Sequence, residues 1–408
     1  MKVSMFHLMP YRDVPDDFEK THRSAWFTVK WSEFADAQKV VDYYKWTLDE
    51  LGYAAELGFD GVCVNEHHQN CYGFMVNPNM MGAALAKMTE HLGTALVQLG
   101  ITQPFLDPPI RGAEEYAMLD CMSNGRVVAG MPVGIGGDYA FSYGKSPVEQ
   151  RGRYQEAHDL MKKAWIEEDI FAWNGKYFQL PMVNLWPRPV QDPHPPIWVP
   201  GIASPSTWDF TTDNDYLYAA LTYAGISGAQ YAIDGYWDTV AKKGKEQNPY
   251  RLGFLLPVGV AATDEEADRI YGPASEYFYH KMLRLPDEMV APPGHMTYES
   301  TSNFIKNRPV PSNLTLTDHD YSYFKEKGFL ITGSPSTVRE KIAEICKDNH
   351  IGNLMVLLQF GNMSHEATKE NIRLFAEGCL PHLQPIWTDE DWENRWWPQG
   401  AVRPGAEV

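Results

Sequence analysis

Short apolar runs, most of them bounded by Gly or Pro, alternate along the chain with longer stretches in which apolar residues return at three- and four-residue spacing. The first pattern predicts buried β-strands and the second predicts amphipathic helices, so their alternation reads as βα units around a parallel sheet. Strands are expected at 2–8, 61–65, 92–99, 126–131, 197–199, 216–222, 251–261 and 353–358. Eight such strands match the number in a (β/α)8 TIM barrel, the α/β class predicted here. Among the helices, Ala157, Leu160, Met161, Ala164 and Trp165 form one apolar face, suited to covering a barrel wall. A second stripe, Val338, Ile342, Ile345 and Cys346, begins where Ser334 can cap and Pro335 can occupy the first helical position. A third, Tyr44, Leu48, Leu51 and Ala55, runs up to Gly58, a natural helix stop.

Two segments exceed a minimal barrel. Residues 9–39 follow the first strand and are rich in Trp, Phe and Asp; residues 285–329 follow the seventh strand and its helix and carry Pro286, Pro292, Pro293, Pro309 and Pro311 with little periodicity. A loop as long as the second is usually a lid, a binding loop or disordered. The expected organisation is one barrel domain over 1–383 with insertions at about 9–39 and 285–329, then a tail at 384–408.

The charge balance narrows the partners. Thirty-five Lys and Arg against 53 Asp and Glu give −18, and no basic run is present to neutralise a phosphate backbone, so nucleic acid is not expected. Cys63, Cys71, Cys121, Cys346 and Cys379 are odd in number and contain no C-x-x-C pair, which predicts reduced thiols in a cytoplasmic protein. Neither a signal peptide nor a stretch of about 18 apolar residues is seen, so no membrane association is expected.

Candidate chemistry collects at predicted strand ends. Asn65-Glu66-His67-His68 closes the second strand, where side chains of a barrel project into the pocket mouth. An imidazole there can act as general acid or base, or donate to a developing oxyanion; ordinary partly buried histidines are the plain alternative. His7, Glu66 and His68 are chemically suitable metal ligands, but adjacent histidines on an extended backbone point to opposite faces. The stretch from Met131 to Tyr139 contains Gly134, Gly136 and Gly137, yet G-x-G-x-x-G is incomplete and a tight turn explains it. Gly201-Ile202-Ala203-Ser204-Pro205-Ser206 follows the fifth strand and leads into a helix, whose N-terminus suits a phosphate, although serine capping accounts for the same residues.

In order along the chain stand Ala55-Glu56-Leu57-Gly58-Phe59-Asp60-Gly61 before Glu66-His67-His68, then Leu92-Gly93-Thr94-Ala95-Leu96-Val97, Gln103-Pro104, and Leu119-Asp120 through Met122-Ser123-Asn124-Gly125-Arg126. Gly175-Lys176-Tyr177-Phe178, Pro195-Pro196-Ile197-Trp198, Thr332-Gly333-Ser334-Pro335 and Leu380-Pro381 complete the series. This order and spacing resembles the bacterial luciferase family of flavin-dependent monooxygenases. The resemblance implies a barrel, usually dimeric, that receives reduced FMN from a separate NAD(P)H:flavin reductase, adds O2 at the flavin C4a and oxygenates a small organic substrate through the resulting (hydro)peroxyflavin. It places His67 beside the flavin as the catalytic histidine, with Glu66, His68 and Tyr139 around the substrate. It further implies a non-proline cis peptide at Ala95-Leu96 beneath the ring, and a phosphate site at Gly201, Ala203 and Ser204, approached by Tyr154 of the Arg153-Tyr154 pair. Pro132-Val133 and Gly201-Ile202 depart from luciferase itself, so its aldehyde substrate does not carry over. The insertion aromatics Tyr11, Phe18, Trp26, Phe27 and Trp31 suggest an apolar or aromatic substrate, or simply packing. Deazaflavin (F420)-dependent hydride transfer, a metal-dependent barrel hydrolase built on His7, Glu66 and His68, and a non-enzymatic ligand-binding barrel are the other readings that remain open.

Overall fold

The computed structural model describes residues 1–402 except 222 and 307–312. Thr222, Pro309 and Pro311, named above, therefore lie outside the described residues, as does the tail beyond 402. The strands are β1 (Lys2–Phe6), β2 (Gly61–Val64), β3 (Ala95–Gln98), β4 (Val127–Gly130), β5 (Phe171–Asn174), β6 (Gln179–Val183), β7 (Ile197–Gly201), β8 (Leu217–Ala220), β9 (Leu252–Val260), β10 (Ile331–Gly333) and β11 (Asn353–Leu357). Eight of them, β1-β2-β3-β4-β7-β8-β9-β11, pair in parallel, and the pairing of β11 with β1 (Lys2↔Asn353 through Phe6↔Leu357) closes the ring. These are the eight predicted strands, somewhat trimmed at their ends.

Their residues divide alternately between two cores, as a sheet buried on both faces requires. Val3, Met5, Val62, Val64, Leu96, Val127 and Val199 pack outward against helix residues such as Leu51, Leu85, Leu160, Ile342 and Phe375. Phe6, Cys63, Ala95, Val97, Val128, Trp198, Leu255 and Met355 fill the interior. The predicted wall helix is Gln150–Ile166, burying Ala157, Leu160, Met161, Ala164 and Trp165. Ser334 caps Pro335–Asp348 by accepting from the Thr337 N–H, with Pro335 in the first turn, and Ala37–Glu56 ends just before Gly58, whose φ of +94° is open to glycine.

Two elements escape the sequence reading. In the hairpin β5–β6, β5 is exposed on alternate residues and β6 is exposed at Gln179, Pro181 and Met182, so it lacks an apolar run. The three-residue β10 extends the ladder of β9 beyond its pairing with β11, and at three residues it is too short to show an apolar run. The Pro-rich insertion is not a bare loop: it carries Asp287–Val290, Tyr298–Lys306 and Tyr321–Glu326 as helices. The first insertion is tied to the start of the second, and to Arg284 just before it, over the C-terminal ends of the strands. Ala25 N–H donates to Arg284 O at 2.9 Å, Arg284 Nε donates to His22 O at 2.7 Å, and Arg23 pairs with Glu288. The residues after Leu383, expected as a tail, pack under the opposite end, where Trp198 Nε1 donates to Trp396 O at 2.9 Å and Trp396 Nε1 to Asp215 O at 2.8 Å. Among the described residues no helix is long and apolar enough to cross a membrane, and all five cysteines are free.

Candidate active site

The extended backbone leaving β2 sends its two histidines to different neighbours, as their adjacency requires. His67 is fixed edge-on against Trp26 (ring centroids 5.0 Å apart) and Tyr72 (4.9 Å), which stack on each other at 4.5 Å. Trp26 comes from the first insertion, so that insertion builds the mouth directly. His67 Nδ1 stands 3.7 Å from Asp138 Oδ2, a contact supplied by the turn after β4. His68 Nε2 lies 3.3 Å from Glu66 Oε1 and 3.2 Å from the Tyr143 hydroxyl, while Glu66 Oε2 accepts the Thr102 N–H at 2.6 Å. Phe105 stacks on both Tyr143 (4.4 Å) and Tyr139 (5.9 Å). Burial, with Glu66 and Asp138 nearby, pushes the Tyr143 hydroxyl up to about 12, so it stays a proton donor at neutral pH. Glu66, His67, His68 and Tyr139 are thus gathered at one end of the barrel, the end that barrel enzymes use. His67 Nδ1, Asp138 Oδ1, Tyr139 Oη, Trp26 Nε1, Asn65 Oδ1 and Ser142 Oγ are buried there without hydrogen-bond partners. Such unspent polar atoms are costly in a folded core and mark a place prepared for something else.

A second cluster lies at the end of β7. Ser204 has the backbone of an N-cap for the helix Pro205–Asp213, but its side chain does not cap. Its hydroxyl accepts from Arg151 Nη2 at 3.1 Å and lies 2.9 Å from Ser206 Oγ and 3.2 Å from Ser300 Oγ, the last from the second insertion. Arg151 is half-buried and its Nε has no partner; burial lowers its pKa, yet a guanidinium remains charged at neutral pH. The Thr207 and Trp208 N–H groups are already spent on Ser204 O, so what the turn offers an anion is a half-buried guanidinium beside three hydroxyls at the start of a helix. At Gly201 a Cβ would come within 3.0 Å of the Tyr218 ring, and Ala203 stands half-buried beside it in the turn.

Several expected residues lie elsewhere. Tyr154 is buried, with its hydroxyl donating to Met131 O at 2.9 Å, so it is committed to the end of β4; Arg151, one helical turn earlier, reaches the β7 turn in its place. The shared face of residues three apart on a helix was the signal available for Arg151. Ala95 and Leu96 open β3 and sit at the opposite end of the barrel from His67. Their peptide is trans: among the described residues the cis bonds are Asp107–Pro108, Trp186–Pro187 and Asp192–Pro193. The reason is the ladder, in which Ala95 N–H donates to Asp60 O at 2.9 Å and Leu96 N–H to Arg126 O at 2.8 Å. Close main-chain approach occurs at the other end of β3, where a Cβ on Gly100 would be 2.2 Å from Gly130 O.

His7 is drawn away from Glu66 and His68. Its Nε2 lies 2.7 Å from Glu50 Oε2 on the helix Ala37–Glu56, and its Nδ1 accepts the Met9 N–H at 2.9 Å. The proposed metal triad is therefore not assembled, and among the described residues no three His, Cys, Asp or Glu side chains form a metal cluster.

The profile of a family described as luciferase-like monooxygenase matches residues 29–348. The oxygenase component of the flavin-dependent trigonelline monooxygenase of Acinetobacter baylyi is 31% identical over 241 residues, 57% of this chain and 64% of that protein. The oxygenating constituent of 3,6-diketocamphane monooxygenase from Pseudomonas putida, solved with FMN, superposes with a TM-score of 0.69 at 17% identity over 94% of this chain and 98% of that one. An F420-dependent secondary alcohol dehydrogenase superposes at 0.64 with 15% identity, over 94% and 98% of the two chains. At these identities the two structures show a shared barrel fold.

Proposed function

The chain belongs to the luciferase-like monooxygenase family, and from that premise we propose that it is the oxygenase component of a two-component system, taking reduced FMN from a separate NAD(P)H:flavin reductase and oxygenating a small apolar or aromatic substrate with O2. The observation that carries FMN is Arg151 beside Ser204: a half-buried guanidinium without a carboxylate partner among the described residues, at a helix N-terminus. Its donor set fits a phosphate, with Arg151, Ser204, Ser206 and the Ala203 turn holding it. Reduced FMN supplies, when bound, the electrons and the ring carbon at which O2 is activated.

The chain's own residues then have separable tasks. Trp26, Tyr72, Phe105 and Tyr143 exclude water and offer flat apolar faces to a planar substrate. His67, its ring orientation set by two aromatics, takes or gives a proton at Nε2, which has no hydrogen-bond partner among the described residues. Glu66, His68 and Tyr139 line the substrate side. A relative named for trigonelline, a heteroaromatic, agrees with an aromatic substrate class. A homodimer is also proposed: Met80, Met118 and Met122 are exposed on the neighbouring helices Pro78–Met88 and Ile110–Ser123, and light scattering tests it.

Anaerobic titration decides the cofactor. Reduced FMN should bind saturably to the wild-type chain, and Arg151→Ala should weaken it about 10- to 100-fold, the worth of one charge-assisted contact, while leaving reduced riboflavin unchanged. Tighter binding of reduced F420 than of reduced FMN would overturn the assignment in favour of hydride transfer.

A further inference from the structure

The mouth holds a carboxylate to which the reading above gives no task. Asp138, at the start of the turn Asp138–Ser142, is only 3% exposed. Its Oδ1 has no hydrogen-bond partner, and no Lys or Arg pairs with it among the described residues. Among the described residues the one basic group within ion-pair range of it is His67 Nδ1 at 3.7 Å, an atom also buried and also without a hydrogen-bond partner; the Tyr72 and Tyr143 hydroxyls are its other titratable neighbours. A carboxylate taken out of water costs several kcal/mol unless it is hydrogen-bonded. The Nδ1–H of His67 is the donor that can meet that need, and an approach of about 1 Å would bring the pair to hydrogen-bond length.

Neither partner is free to turn elsewhere. The imidazole is wedged edge-on by Trp26 and Tyr72. The Asp138 turn is clamped from the second insertion: a Cβ on Gly137 would stand 2.2 Å from Met289 O, and one on Gly136 2.5 Å from Pro292 Cδ. One insertion therefore sets the ring and the other sets the carboxylate.

We propose that Asp138 is the positioning residue of His67: it accepts the Nδ1 proton, so that the neutral ring presents a bare Nε2 to the site. A proton taken at Nε2 then gives an imidazolium whose charge Asp138 balances, and returning that proton restores the neutral ring. What Nε2 exchanges its proton with rests on the proposed oxygenation, whereas the tautomer does not.

The test is therefore made on the flavin-free full chain. Long-range 1H–15N spectra of 15N-histidine-labelled protein, taken at about pH 8.5 where histidines are ordinarily neutral, report which nitrogen carries the proton; His67→Gln assigns the signals. Wild-type His67 should hold its proton on Nδ1, and Asp138→Ala or Asp138→Asn should move most of the population to Nε2. In turnover, Asp138→Asn should lower kcat by about 10²-fold or more with KM within about threefold, and Asp138→Glu should recover part of the loss. A wild-type Nε2–H ring, or one tautomer common to all variants, overturns the proposal. If Asp138→Ala does not fold, the wild-type and Asp138→Asn spectra decide it. Failure to bind reduced FMN would instead remove the oxygenase reading and leave the tautomer result standing.

Discussion

Replacing Glu50 by Gln probes the buried charge cluster that anchors the first insertion to the barrel. Glu50 is fully buried and receives His7 Nε2 at 2.7 Å, Arg12 Nη2 at 3.2 Å to each oxygen, and His365 Nδ1 at 2.9 Å. Because His7 Nδ1 already accepts the Met9 N–H, the ring is neutral and donates through Nε2; its burial lowers its pKa in agreement. Burial alone would raise the Glu50 carboxyl, but the hydrogen bonds from His365 and His7 and the charge of Arg12 reverse that and hold it at about 2. An amide in its place puts an NH2 against one of these donors and leaves Arg12 without a counter-charge, a loss of about 3–5 kcal/mol. Linkage gives a similar figure, since a carboxyl held from 4.5 down to about 2 contributes about 3 kcal/mol at neutral pH. The sign follows from the depressed folded pKa: this stability is present above pH 4.5 and is lost as pH falls towards 2. His365, raised by its hydrogen bond to Glu50, contributes in the opposite sense, fully below about 6.5 and lost as pH rises through its folded value. Urea unfolding between pH 3 and 9 should therefore show a wild-type plateau with losses on both sides, and Glu50→Gln should be lower and flatter. A loss under about 1 kcal/mol at pH 7, or an acid limb of unchanged steepness, would refute the reasoning.

Three further substitutions address the mouth and the floor. Ser204→Asp should weaken reduced FMN far more than reduced riboflavin in anaerobic titrations, since only FMN brings a phosphate for the new carboxylate to repel; equal losses would move the phosphate elsewhere. His67→Ala should lower coupled oxygenation by about 10²–10⁴-fold while flavin binding changes little, measured as product formed per reduced flavin consumed. Trp396→Ala, which empties a 2%-exposed site beneath Trp198, should cost about 3–5 kcal/mol in chemical unfolding, against almost nothing for Trp31→Ala at a site 59% exposed.

What the sequence made legible was whatever repeats locally. The ring strands are buried on both faces, so each stands out as a short apolar run, and Ser334-Pro335 announces its helix start by chemistry confined to neighbouring residues. The placing of Glu66, His67 and His68 at the mouth followed from one strand end, whereas Tyr139 was put beside them only by the family resemblance. Arg151 was hidden because its partner Ser204 is 53 residues away, and Asp138 because its partner His67 lies across the mouth. The Ala95-Leu96 expectation, carried over from the family resemblance, failed because the ladder begins at Ala95 and commits both peptides to regular strand pairing. Long-range meeting of single polar residues leaves no periodic trace.

The closure of the ring by β1 and β11 also sets an order of events during synthesis. Lys2 through Phe6 leave the ribosome about 350 residues ahead of their neighbours on one side, Asn353 through Leu357. At roughly 5–20 residues per second that is a wait on the order of 20–70 s, during which one edge of β1 is unpaired and Phe6 lacks part of its core. Contacts so distant along the chain impose a slow final step, and every strand made in between is held in an open sheet whose edges can pair with another copy. The nascent chain is thus most exposed to misassembly just before β11 emerges, and slowing translation upstream of Asn353 would lengthen that interval.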